Sequence, residues 1–165
     1  MLTNPTVDRA EFREAMSHFA AAVHLITTDG PAGRRGVTAT SVCSVSDAPA
    51  TLLVCLNLSS PLNDRFEANG VFAVNMLSAE AEPVARIFSG QGGLEPEARF
   101  ASARWSTLST GSPVLESGAL ASFDCRLVDS RIVATHRVLI GEVVAIRQGE
   151  PASSLLYRDR RYRTL

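Results

Sequence analysis

Three common catalytic signatures are missing from this chain. It has no GxGxxG after a strand, no GxxxxGK[ST] loop and no GxSxG elbow. Dinucleotide-fold, nucleotide-hydrolase and serine-hydrolase readings therefore lack support. An excess of either charge is also missing: the net charge of -1 makes no electrostatic case for nucleic acid or an anionic membrane. No apolar run approaches the roughly 20 residues of a membrane-spanning helix. The opening stretch, MLTNPTVDRAEFREAM, is too polar for a signal peptide. Cysteine is scarce and odd in number. Cys43, Cys55 and Cys125 sit in apolar strand patterns, and none has zinc-site spacing to a histidine. The expectation is three buried free thiols in a cytoplasmic, metal-free protein. Asp and Glu are scattered over presumed helix surfaces and turns, so no pair of catalytic carboxylates stands out.

What is present fits one domain covering 1–165, long enough to build a core without disulfide or metal staples. The most informative stretch runs from Gly36 to Pro61, GVTATSVCSVSDAPATLLVCLNLSSP. Val37, Ala39, Ser41, Cys43 and Val45 fall on one side of an extended strand, with Thr38, Thr40, Ser44 and Ser46 on the other. That alternation predicts small or apolar groups against a core and a row of hydroxyls opposite. Asp47-Ala48-Pro49 breaks the strand, and Thr51 to Leu56 reads as a strand buried on both faces. Ser60 and Pro61 suit the start of a helix, whose free N–H groups would favour an anion. A hydroxyl-lined strand leading to such a site looks like half of a pocket for a phosphate-bearing cofactor.

Along the chain, Asp8 to Ala21 reads as a helix capped by Asp8 with Glu11 three residues on, and Phe12, Ala15, Met16 and Phe19 form a core-facing stripe. Val23 to Thr28 is a strand in hairpin with the next. At the junction, Arg34 and Arg35 either reach a phosphate or form a solvated tip. A short helix follows Pro61 and stops near Asn69-Gly70, and Val71 to Leu77 is a central strand whose Asn75 satisfies backbone groups. Ser78 to Ser89 is a helix with Ser78 as its cap. Gly90 to Ala103 is a loop of the kind that serves as a lid, with a helical turn at Glu97 to Phe100. Ala119 to Ile132 and Thr135 to Ile146 are long strands with a tight connection, and Leu155 to Tyr157 is a short one. About seven strands linked by hairpins favour a mainly β fold, an antiparallel barrel with a few flanking helices. His136, on the turn between the long strands, is placed to touch a ligand.

The segment GVTATSVCSVSDAPATLLVCLNLSSPLNDRF resembles the signature of the short-chain flavin reductases of two-component flavin monooxygenases. FREAMSHFAAAVHLITTDGPAGRRG and FEANGVFAVNMLSAEAEPVARIFSG are similar to the family's segments on either side. RFASARW, PVLESGALASFDCR and THRVLIGEV follow in the family's order, so the likeness runs from about Phe12 to Tyr162.

The resemblance implies a split β-barrel that binds FMN or FAD, usually as a homodimer, with NADH or NADPH as co-substrate. It places the flavin ring and ribityl chain along Thr38, Ala39, Thr40 and Ser41, and the ring's other edge on Cys55, Leu56 and Asn57. Ser59 and Ser60 would hold the phosphate, with Arg86 as a cationic helper. In much of the family a Gly-Asp-His triplet sets a histidine beside the nicotinamide. Here it is Ala134-Thr135-His136, which keeps His136 as the catalytic candidate and leaves the nicotinamide preference open. Tyr157 and Tyr162 stand where relatives carry aromatics near the flavin or the dimer contact, or else simply pack the last strand. The implied activity is hydride transfer from NAD(P)H to flavin, with the reduced flavin passed to a partner monooxygenase. Two other readings stay open: a flavoprotein that reduces another small acceptor, such as a corrinoid or metal chelate, and a flavin-binding protein without catalysis.

Overall fold

Asp8 starts the first element as its carboxylate spacing suggests: Oδ1 accepts the N–H groups of Ala10 and Glu11, opening helix α1 (Arg9–Ser17). The computed structural model describes residues 7–165. The strands in order are β1 (Ala21–Ala22), β2 (His24–Thr28), β3 (Arg35–Ala39), β4 (Val42–Asp47), β5 (Ala50–Asn57), β6 (Val71–Leu77), β7 (Trp105–Thr107), β8 (Pro113–Leu115), β9 (Ala119–Val133), β10 (His136–Gln148), β11 (Leu155–Arg158) and β12 (Arg161–Thr164). Helices α2 (Asp64–Asn69) and α3 (Glu82–Phe88) are short, and 3-10 turns cover Pro61–Asn63, Ala79–Ala81 and Ala98–Ser102.

Seven strands form one antiparallel sheet in the order β3-β2-β6-β9-β10-β5-β4. Its two edge strands, β3 and β4, are consecutive in the chain and separated only by Thr40 and Ser41. Laid flat, seven strands would span about 29 Å, whereas the link from Ala39 to Val42 reaches about 11 Å at most. The sheet therefore curls strongly, and its inner face holds Ile26, Leu52, Val54, Leu56, Phe66, Phe72, Val74 and Leu139. A second core lies on the outer face under α3 and contains Val23, Leu25, Leu77, Ala85, Phe88, Phe100, Leu115 and Leu155. The two-residue period of β2 explains the division, with Leu25 in one core and Ile26 in the other. Asn75 lies at 0% exposure between them. It donates to Leu25 O (3.1 Å) and accepts from Leu115 N (3.0 Å) and Ser122 Oγ (2.9 Å), the backbone role expected of it.

Several expectations need correction. The α1 stripe faces no core: α1 buries no residue, and Phe12, Met16 and Phe19 are 58%, 43% and 66% exposed. The β11–β12 turn reaches this end of the chain through Asp159 N–H to Ser17 O (2.7 Å) and Arg160 to Glu14 (2.6 Å), but these contacts leave the apolar side open. The hydroxyl-lined strand is really two, because the chain turns from β3 to β4 at Thr40–Ser41, where the sheet must change edge. On β4, an edge strand, Val45 and Cys43 are exposed, so the expected buried thiol there is not buried. β5 is fully buried on one face only: Leu52, Val54 and Leu56 are inside, while Leu53 and Cys55 are half-buried. The Gly90–Ala103 stretch is anchored by Phe100, which packs edge-on to Phe88 (5.1 Å between centroids) and accepts the Trp105 indole N–H at its carbonyl (2.8 Å). Residues Gly90 to Glu95 are exposed.

Candidate functional site

The turn that carries the chain between sheet edges also opens a cleft of about 340 Å³, within the ordinary range for small-molecule sites. One wall is Val37, Thr38, Ala39, Thr40 and Ser41, and the facing wall is Cys55, Leu56 and Asn57. His136 stands directly across the ladder from Asn57, and Ser41 O accepts the Cys55 N–H (3.0 Å), tying the two walls together. Tyr157 and Tyr162 close the remaining side with their rings edge-to-face at 5.2 Å, and Val23, Asn63, Ser89 and Gln91 complete it. Nine sequence-predicted residues thus share one cleft: Thr38, Ala39, Thr40, Ser41, Cys55, Leu56, Asn57, His136 and Tyr157.

The individual groups differ from the simple picture of a hydroxyl row. Thr38 Oγ1 donates to Ala85 O in α3 (2.7 Å), so this hydroxyl fastens the wall to the helix. His136 Nδ1 lies 2.9 Å from Thr135 Oγ1, which orients the imidazole at the cleft mouth. In the turn before it Ala134 has φ 52, the left-handed value that favours glycine at the first position of a two-residue hairpin turn. Burial raises the Cys55 thiol, which stays protonated and uncharged against a ligand. Burial also raises the Tyr162 phenol, and the Arg86 guanidinium lies 4.7 Å from that ring's centroid.

Ser59, Ser60 and Arg86 do not line the cleft surface. Arg86 is held by Glu82 (2.6 Å) and Gln91 (3.1 Å), so it serves the cleft by bracing Tyr162. The Ser59 N–H donates to Asn57 Oδ1 (2.8 Å), and Ser60 makes no side-chain cap. The 3-10 turn at Pro61–Asn63 and the six-residue α2 provide no long helix dipole. Ser60 Oγ instead accepts from Arg35 Nη2 (3.3 Å), while Arg35 Nε donates to Asn63 Oδ1 (2.9 Å). Arg35 is 6% exposed and forms no ion pair among the described residues. Of the two arginines left open in the sequence, Arg34 is the surface one, bonded to Asp29 and lying over Phe100. Asn63, Ser89 and Gln91 carried no sequence signal for the cleft, since polar residues after a strand or helix are common.

A second hollow of about 440 Å³ adjoins the first and shares Thr40, Ser41 and Tyr157 with it. Its other side is Phe12 and Met16 of α1 with Phe19 just beyond it. No cluster of His, Cys, Asp and Glu able to hold a metal occurs among the described residues.

A curled antiparallel sheet with a half-apolar cleft and paired tyrosines at its side defines a domain with a small-molecule site. The comparisons with known proteins agree. The family model described as a flavin reductase like domain matches residues 16–165. The chain is 51% identical over 158 residues to FMN reductase (NADH) RutF of Variovorax paradoxus, covering 96% of this chain and 86% of that protein. Among solved structures, a Haemophilus somnus protein assigned as a flavin reductase superposes with TM-score 0.90 at 43% identity, over 96% of this chain and all of that one. A homologue of nitrilotriacetate monooxygenase component B from Mycobacterium thermoresistibile superposes with TM-score 0.86 at 29% identity, over 96% of this chain and 87% of that one. The chain belongs to the flavin reductase like family.

Proposed function

We propose that this protein is an NADH-dependent FMN reductase, working as one flavin reductase-like domain. The observation that carries the reading is the cleft itself: nine residues nominated from sequence, drawn from four separate segments, line the same hollow. The similarity to FMN reductase (NADH) RutF supports FMN and NADH as the pair. The curled seven-stranded sheet, whose edges meet through a two-residue link, supports the split-barrel description.

A bound flavin supplies the hydride acceptor for a reduced nicotinamide; no protein acid or base is required for that transfer. The chain's residues position and enclose. Thr38 to Ser41 and Cys55 to Asn57 form two walls of fixed separation, held by the Ser41–Cys55 backbone bond. The neutral thiol of Cys55 and the apolar Val37, Ala39 and Leu56 keep water off the inner side of the cleft. His136, held by Thr135, faces the entrance where a nicotinamide would approach, and its role is orientation and electrostatics. Tyr157 belongs to both hollows, so a second copy seated on α1 would close the first cleft from outside. A homodimer is therefore part of the proposal. Similarity to a monooxygenase component B supports delivery of reduced flavin to a separate monooxygenase. Three free cysteines, with no disulfide among the described residues, fit a reducing cytoplasmic setting.

The test is anaerobic oxidation of NADH and of NADPH by purified protein, with FMN, FAD, a corrinoid and a ferric chelate as acceptors. FMN-stimulated NADH oxidation with the highest kcat/KM for free FMN supports the reading. Preference for another acceptor supports a different flavoprotein reductase, and tight FMN binding without turnover by either nicotinamide leaves a binding protein.

A further inference from the structure

The far end of the β9–β10 hairpin has little around it. Arg131 to Thr135 are all exposed, and the next residue, His136, lines the cleft. One backbone bond fastens this end to the residue after β5: Thr135 O accepts the Leu58 N–H (3.0 Å). The larger fastening is Arg137. Its Nη2 donates to Asp64 Oδ1 (3.0 Å), and its Nη1 donates to Glu67 Oε2 and to Ser130 Oγ (3.2 Å). One guanidinium thus joins β9, β10 and α2. Stability alone is a poor reason for it. The Arg137 side chain is 11% exposed, whereas those of Asp64 and Glu67 are 63% and 44% exposed. Its Nε is buried without a partner among the described residues. Withdrawing a cation from water is costly, and partly solvated carboxylates offset that cost incompletely. An apolar side chain of similar length, opposite Leu56 in the ladder, would stabilise the fold about as well. What the guanidinium adds is direction, because a planar fork bonded at both Nη atoms fixes an angle between the elements it joins.

That angle is set at the cleft. His136 and Arg137 are neighbours on β10, so the pleat sends them to opposite faces, and of the two only His136 lines the cleft. α2 follows directly on Asn63, which also lines the cleft and donates from Nδ2 to Asn57 O (2.8 Å). Asn57 is in turn the ladder partner of His136. The clamp between Arg137 and α2 therefore fixes the imidazole against the Asn57–Asn63 wall without itself reaching a ligand. We propose that Arg137 is a positioning residue for the reduction: locked to Asp64 and Glu67, it holds His136 at the angle that receives the reduced nicotinamide. This inference rests on the flavin-reductase reading above and on its use of His136.

The experiment is steady-state kinetics with NADH and FMN, together with FMN titration and thermal unfolding. The proteins are wild type, Arg137→Met, Arg137→Lys, His136→Ala and the double variant His136→Ala with Arg137→Met. Arg137→Met should keep its Tm within about 3 °C of wild type, since it removes the buried charge and leaves both carboxylates in water. Its KM for NADH should rise about 3- to 10-fold, with kcat and FMN affinity changed less than about 2-fold. Lysine keeps the charge but not the fork, so it should restore part of the loss. In the His136→Ala background the same change should add less than about 1.5-fold, because the residue through which it acts is gone. If Arg137→Met does not fold, Asp64→Asn carries the test: Glu67 stays on the guanidinium, and the KM should rise about 2-fold, again only when His136 is present. Independent, multiplying effects in the double variant overturn the inference while leaving the reductase reading intact. So does an unchanged KM in Arg137→Met, or a fall in FMN affinity as large as the rise in KM, which would make the clamp a general prop of the cleft. A His136→Ala protein with unchanged KM overturns both this inference and the use of His136, and wild-type protein that does not reduce FMN with NADH overturns the reductase reading as well.

Discussion

Replacing Gly36 by alanine should damage the cleft from behind. An added Cβ would lie 2.5 Å from Phe88 Cε1 and 2.7 Å from Cδ1, against an ordinary carbon–carbon contact of about 3.5–4.0 Å. The ring has nowhere to go: Phe88 is 1% exposed and sits edge-on to Phe100 at 5.1 Å and to Trp105 at 5.8 Å. An overlap of about 1 Å with a trapped ring belongs at the upper end of overpacking costs, about 2–3 kcal/mol. For a chain of this size that is a fall in Tm of roughly 4–12 °C. Gly36 lies between Arg35 and Val37, so FMN affinity should fall along with stability. Urea unfolding of the apo protein reads the first effect, and FMN titration the second. A double-mutant cycle with Phe88→Leu isolates the cause. The smaller side chain makes room for the new methyl, and the double variant should be at least about 1 kcal/mol more stable than the sum of the single effects. A Gly36→Ala protein within about 0.5 kcal/mol of wild type, or strict additivity in the cycle, would refute the reasoning.

If His136 serves the nicotinamide as proposed, His136→Ala should raise the KM for NADH about 5- to 20-fold and leave FMN affinity nearly unchanged; steady-state kinetics with both substrates decides this. If the proposed homodimer forms through α1, Phe12→Asp with Phe19→Asp should convert it to monomers, read by light scattering. These rings expose 58% and 66%, about 250 Å² together, worth at most about 6 kcal/mol per protomer if covered, and an unchanged mass would remove α1 from the interface. His24 predicts acid sensitivity. Burial pushes its pKa from 6.5 down to about 4, against weaker opposite effects of backbone groups at Ala39 and Ala22, and its Nδ1 has no partner. The folded state thus holds His24 neutral while the unfolded chain takes up a proton, so this stability is complete above 6.5 and is lost as pH falls toward about 4, roughly 3 kcal/mol in all. His24→Gln should flatten the stability difference between about pH 7 and about pH 4.5; an identical pH profile in the variant would show that other groups carry the effect.

The strands were legible because their signal is local. Period-two alternation, a turn cluster at Asp29–Gly33 and the unbroken run at Val71–Leu77 are properties of neighbours in sequence, and β2, β5, β6, β9 and β10 follow them, whereas the short β1, β7, β8 and β12 and the break between β3 and β4 carried no such signal. The capping of α1 by Asp8 and the backbone duty of Asn75 were readable for the same reason. Most of the cleft was legible too, through the motif running from Thr38 to Asn57. What sequence could not decide was which faces meet. The apolar stripe on α1 has helical spacing whether it meets a core, a partner or water, and only the packing leaves it bare. Arg34 and Arg35 are indistinguishable as neighbours in a turn, yet the strand's pleat sends one out over Phe100 and the other inward to Ser60 and Asn63. Arg86 illustrates the converse: a cation assigned to the cleft by resemblance is paired with Glu82, four residues away on its own helix. Local pattern thus determined the elements and the motif. Long-range contacts, which depend on how the faces of a seven-stranded sheet pack, decided which charges are left without a partner.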